Sequence, residues 1–313
     1  MATITNDDVP NLFENQQFEE RKKLPRWIKE LLRNPLSISG VLLVLFFIVV
    51  AALAPVIAPP PIPSAPYQIP RDGFEAQPHA PDQAHPFGTT QGQYDIFYGV
   101  VWGTRTAFKI GLVVTGLTVV IGGLIGAIAA YAGGWLDEIV QRIVEIFLAF
   151  PFLLAALTLA TVLGSKVQNS LAAGVIALVV FGWPGYSRLI RGDILKAKEN
   201  DYVLAARALG EPGWTILIRH LIPNAMYSTI VFASLNVGAN VLTFAALSFL
   251  GVGASIGYAD WGQLLSYARN WIPSLATYWY IVVYPGVALL LFSLAWNLIG
   301  DAFRDALDPK VTH

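Results

Sequence analysis

Residues 201–223 read DYVLAARALGEPGWTILIRHLIP, and the reading of the whole chain turns on them. The stretch is charged and strongly helical, yet it lies between apolar runs long enough to cross a bilayer. An idle connection would be shorter or richer in turn residues, so this water-facing segment is expected to have a reader outside the membrane. From about Ile194 to Leu209 the composition favours a helix. Gly210 suits its left-handed end, Pro212 the first turn of a second helix, and Pro223 a stop. In that second helix Trp214, Leu217, Ile218 and Leu221 recur at i, i+3, i+4 and i+7, making one apolar stripe beside Arg219 and His220. Such a helix lies on a lipid surface or docks into a groove of another protein.

Around this segment the chain has a membrane composition: of 313 residues, 55% are apolar and only 13% charged, with mean hydropathy +0.56. A net charge of −1 gives no basic field for nucleic acid, and the lack of cysteine excludes disulfides, thiol chemistry and cysteine–metal sites. Windows of about 20 mostly apolar residues, the length a spanning helix needs, fall near 39–58, 106–131, 139–163, 171–187, 227–251 and 278–300. The predicted fold is therefore an all-α polytopic membrane protein with six transmembrane helices. The first window follows a charged tail and runs into Pro59, Pro60 and Pro61, which reads as an uncleaved anchor.

Basic residues near span ends stay on the cytoplasmic side. Arg21, Lys22, Lys23, Arg26, Lys29 and Arg33 precede the first span, and Arg188, Arg191, Lys196, Lys198, Arg207 and Arg219 lie between the fourth and fifth. Six spans put both groups on one face with Arg304 and Lys310, against Arg71, Lys166 and Arg269 in the loops opposite, so both termini are expected in the cytoplasm. The chain then divides into a tail (1–35), a first transmembrane helix (36–58), a Pro-rich outer loop (59–104), a core transmembrane domain (105–300) with a cytoplasmic loop (188–226), and a C-terminal tail (301–313). The outer loop is expected to be extended and stiff, either a strap over the outer surface or a rim that meets an external partner. His79 and His85 lie in it without nearby carboxylate or thiolate partners, and no metal site is expected.

Enzyme chemistry finds no support. Gly253-Ala254-Ser255-Ile256-Gly257 fits G-x-S-x-G, but a membrane helix precedes it and only His313 follows. No phosphate-binding G-x4-G-K-[ST] occurs. Gly122 and Gly126 form G-x-x-x-G, expected to serve packing within the chain. Asn236, Asn240 and Thr243 share a face in the fifth span, where they either bond between helices or line a pathway. Glu145 is expected to pair with Arg142, and Asp301 with Arg304.

The segment opened on also resembles the E-A-A-x3-G-x9-I-x-L-P cytoplasmic loop of permease subunits of binding-protein-dependent ABC importers, with Ala205, Ala206, Gly210 and Pro223 at its key places. Leu204, His220 and Ile222 depart from it. His85-Pro86-Phe87-Gly88-Thr89, Ala132 to Glu138, Ala246 to Gly251, Asn297 to Asp301 and Asp305 to Pro309 resemble the dipeptide/oligopeptide group, and its C-type second permease in particular. Gly92-Gln93-Tyr94-Asp95 departs from the G-R-D usual there. The resemblance implies the type I importer permease fold, half of a translocation pathway in a prokaryotic plasma (inner) membrane. The implied partners are a second homologous permease, two ABC ATPase subunits and an extracytoplasmic solute-binding protein. ATP and Mg would be used by the ATPases, with no cofactor on this chain. The loop, with Trp214, Leu217, Ile218 and Leu221 as its inserted face, would sit in an ATPase cleft. The implied solute is a di- or oligopeptide, with nickel chelate or oligosaccharide as alternatives. A self-contained secondary transporter would call for ion-coupling carboxylates or inverted repeats, and only Glu145 is present within a span.

Overall fold

Apolar runs of this length satisfy their backbone in a bilayer only as helices, and helices dominate the computed structural model, which describes residues 34–166 and 170–307. The basic tail through Arg33 and the residues from Asp308 to His313, Lys310 included, lie outside the described residues. In chain order the helices are α1 (Pro35–Ile57), α2 (Ile96–Ala132), α3 (Gly134–Ala149), α4 (Phe152–Gly164), α5 (Ser170–Ala197), α6 (Asp201–Ala208), α7 (Gly213–Phe249), α8 (Trp261–Tyr267), α9 (Leu275–Tyr278) and α10 (Tyr280–Leu307). Among the described residues α1, α2, α5, α7 and α10 are each long and apolar enough to span a membrane, and α3 and α4 meet that test only together, across a break bent by 89°.

That bend corrects the expectation of one unbroken helix over 139–163. The ring of Pro151 disfavours helical geometry at its predecessor, and Phe150 is extended at φ −84, ψ 139. The helix restarts with the Ala155 N–H donating to the Pro151 carbonyl. The other difference is length. At 37 residues each, α2 and α7 are about 55 Å long and outreach a hydrocarbon layer of about 30 Å. Sequence windows register only the membrane-embedded part of such helices.

The most extensive helix pair is α2 with α5. A Cβ on Gly122 would strike the Trp183 carbonyl, and one on Gly126 the Ser187 carbonyl, so the G-x-x-x-G faces α5 within the chain. α7 packs against α2, α5 and α10, while α1 leans on α10 and presents Leu42, Leu45, Phe46 and Val49 outward. Phe47 is its inward anchor, edge-on to Phe292 at 5.3 Å.

Residues 58–95 form an ordered strap over the end of the helices opposite the 201–223 segment. Ile69 N–H donates to Gly257, Ala259 N–H to Tyr67, Tyr98 Oη to Pro66 and Trp102 Nε1 to Ala58. The strap ends where the Asp95 side chain accepts from Tyr98 N–H and caps α2. His85 stands beside it with Nδ1 2.6 Å from Asp95 Oδ2 and Nε2 3.4 Å from Asp72 Oδ2. The expectation that this histidine lacks carboxylate neighbours is thus corrected, because the strap folds back and brings distant aspartates to it. Burial lowers the pKa of His85, but the Asp95 hydrogen bond and the charges of Asp95, Asp72 and Asp82 outweigh it and hold the group above its ordinary value of about 6.5. A proton held more tightly in the folded state stabilises the strap below pH about 6.5, and that contribution is lost as pH rises through the elevated value. Amide-exchange protection of residues 72–95 is expected to fall as pH rises above about 6.5 after correction for intrinsic exchange, and His85→Ala to flatten that dependence. The same fall in wild type and variant would refute the assignment.

Candidate coupling site at 201–223

The segment at 201–223 folds as helix, glycine turn, helix, with boundaries that differ from the sequence reading. A continuous helix from Ile194 to Leu209 does not form. α5 ends at Ala197, and Lys198 turns back so that Nζ donates to the carbonyls of Ala130 (3.0 Å) and Tyr131 (3.2 Å) at the end of α2. Asn200, extended at ψ 145, then opens α6. The end of α6 is a Schellman motif: Gly210 is left-handed at φ +77, Glu211 N–H reaches the Ala206 carbonyl and Gly210 N–H the Arg207 carbonyl. Pro212 is the cap of α7 and not part of its first turn, with its carbonyl accepting from Ile216 N–H.

Pro223 does not stop the second helix. The chain runs on through it to Phe249 because Ile216–Leu221 widen into a π turn, with Ile222 N–H bonded five residues back to Leu217. Proline lacks an N–H and crowds the carbonyl four residues earlier, and a π turn relieves that crowding. The module is tied down on several sides. Tyr131 presses on Gly213, leaving no room for a Cβ there. His220 Nε2 lies 3.1 Å from Glu211 Oε2 across the turn. Arg191 grips Asp137 with two bonds of 2.7 and 2.6 Å, joining α5 to α3.

The apolar stripe of the second helix is divided. Leu217 and Leu221 are 2% and 0% exposed, packed with Ile216, Val203, Ala206 and Ile194. They belong to the core, since the continuous α7 keeps one face turned toward α2 and α5. Trp214 and Ile218 remain outside, 64% and 46% exposed. Leu209, at 87%, joins them, as do Tyr202 and Leu204. These three escape the sequence reading because the helical period covers α7 alone, whereas exposed apolar side chains also stand on α6 and at the turn. A large aliphatic side chain directly before the terminal glycine was the available signal. Of the signature positions, Ala205 is exposed, Ala206 buried and Pro223 exposed.

Residues 122–313, from the middle of α2 through the coupling segment to the end of the chain, match the family described as binding-protein-dependent transport system inner membrane component. The chain belongs to this family. Residues 26–81 of the permease further match the N-terminal transmembrane domain of oligopeptide transport permease C. The permease is 35% identical over 283 residues to the dipeptide transport system permease protein DppC of Alkalihalophilus pseudofirmus, covering 90% of this chain and 88% of the relative. It is 34% identical over 288 residues to the glutathione transport system permease protein GsiD of Pectobacterium atrosepticum, covering 90% of each. Identity to DppC of Bacillus subtilis is 32% over 284 residues, 90% of this chain and 84% of that one.

Of the polar residues considered for the pathway, Asn240 is buried and donates to Thr115 Oγ1 on α2 at 2.9 Å, which makes it a bond between helices. Asn236 and Thr243 satisfy only their own helix, through the Phe232 and Ala239 carbonyls. Phe232, Asn236, Ala239 and Thr243 therefore share a side of α7 that the permease does not fully cover. Glu145 lies 3.2 Å from Arg142. Asp301 forms no ion pair with Arg304 among the described residues; the Arg304 carbonyl instead accepts from Tyr227 Oη.

Proposed function

We propose that this permease is one half of the pathway of an ATP-driven peptide importer. It pairs with a second homologous permease and docks its 201–223 segment into one of two ABC ATPase subunits, while a solute-binding protein presents the solute outside. The observation that carries the reading is the set of large apolar side chains, Leu209, Trp214 and Ile218 with Tyr202 and Leu204, left exposed on the 201–223 segment. Apolar groups on a water-facing segment cost free energy unless a partner covers them. The chain acts as a transport subunit and not as an enzyme: ATP and Mg serve the partner ATPases, and this chain needs no cofactor. It sits in a prokaryotic plasma membrane with both termini inside, and the side of α7 bearing Asn236 and Thr243 borders the pathway. The names of the relatives, which specify dipeptide and glutathione transport, favour a peptide over a nickel chelate or an oligosaccharide.

Proteoliposomes decide the matter. Uptake of a labelled dipeptide is expected only when the partner permease, both ATPases, the binding protein and ATP are all present. Uptake by this chain alone, driven by an ion gradient, would overturn the reading in favour of a secondary transporter.

A further inference from the structure

On the outer side, a cavity of about 710 Å³ opens between the strap and the segments flanking α8, a volume in the range of small-ligand sites. Arg71, Phe74 and Glu75 line it from the strap, and Ile256 and Arg269 from the opposite wall. Both guanidinium groups lie against aromatic rings. Arg71 is 4.7 Å from the Phe74 centroid and 5.6 Å from that of Tyr94, and Arg269 is 5.4 Å from that of Phe249. Neither makes an ion pair among the described residues. Stacking engages the face of a guanidinium and leaves its edge for an acceptor; Arg269 Nε already donates to the Ser266 carbonyl at 3.3 Å, which leaves its two Nη groups, and a carboxylate fits such an edge with two bonds.

The frame that holds them is built in advance. The Arg71 backbone pairs with that of Tyr94, the Tyr94 ring stacks on Tyr267 at 5.1 Å, and Tyr267 Oη accepts from Gly257 N–H at 2.9 Å. Gln91 Oε1 accepts from Asn270 Nδ2 at 3.2 Å and Trp271 Nε1 at 3.3 Å, closing the strap onto the far wall. A ligand entering here need not order its own site.

We infer that this cavity binds the free carboxylate of a short peptide through Arg71 and Arg269, with Phe74 and Ile256 against its apolar side chains. Glu75, also without an ion pair among the described residues, supplies the charge its ammonium group requires. The identity of the ligand rests on the peptide reading above, whereas the demand for a carboxylate is tested separately. In the assembly of the two permeases and two ATPases in nanodiscs, without the solute-binding protein, tri-alanine and its C-terminal amide are compared by equilibrium dialysis. The amide is expected to bind at least about 10-fold more weakly, the effect of losing charged hydrogen bonds. The double variant Arg71→Gln/Arg269→Gln should bring the free acid to the level of the amide. Acetate in large excess competing as well as tri-alanine would reduce the site to a general anion site and overturn the inference. So would equal binding of acid and amide, no binding by the wild type, or unchanged affinity in the double variant. If the acid–amide difference holds while ATP-driven uptake fails, the importer reading falls and the cavity assignment stands.

Discussion

Trp214→Asp is expected to reduce ATP-driven uptake at least about 30-fold, the equivalent of about 2 kcal/mol lost from an interface anchor, while the amount of membrane-inserted chain stays that of the wild type. Trp214 is a large aromatic side chain left 64% exposed on the 201–223 segment. A carboxylate there costs the free chain little, but in an apolar groove it would be buried without a partner. Leu221→Ala is the informative companion. Leu221 is fully buried, so its truncation should cost about 2–5 kcal/mol of stability through lost burial and a cavity without touching the docking surface. The two variants should separate: one folds and fails to couple, the other couples at low temperature but unfolds earlier. Stimulated ATPase activity and uptake are the readouts for the first, thermal unfolding in detergent for the second. Wild-type uptake by Trp214→Asp would place the docking face elsewhere.

The second large effect is expected at the contact between α2 and α5. Gly126→Leu drives a side chain into the Ser187 backbone, where even a Cβ has no room. Overpacking of this kind typically costs about 1–3 kcal/mol, and more when the obstacle is main chain, which cannot rotate away as a side chain would. Loss of the monodisperse species on size-exclusion chromatography is the expected result. Gly116→Leu, on the same helix with nothing near its Cβ position, should leave the elution profile unchanged. Equal behaviour of the two would show that the pair tolerates separation and that the small residues are not required for packing.

The membrane architecture was readable because hydrocarbon imposes one rule on every residue of a span, and a window average detects it. The kink at Pro151 was also within reach, since proline disfavours helical geometry at its predecessor; an average over 139–163 simply hides a single residue. Pro223 is the opposite case. Its local preference for a helix end is real, yet packing of Leu217 and Leu221 against α2 and α5 carries the helix through it by way of a π turn. The coupling patch was half readable for a related reason. Periodicity shows that Trp214, Leu217, Ile218 and Leu221 are apolar on one side, but not which neighbour covers which part. Outer contacts such as His85 with Asp72 and Asp95 depend on how the strap folds back, and no spacing in the sequence encodes that.

The tie between Lys198 and the end of α2, together with Tyr131 seated on Gly213, has a mechanical meaning. At its other end the same helix is clamped by Asp95 to the strap that walls the outer cavity. No proline interrupts it between Ile96 and Ala132, and such interruptions are where long helices give way. α2 is then a continuous, proline-free helix that joins the 201–223 segment to the strap, so a displacement imposed at Gly213 by a docked partner would reach Asp95 through it.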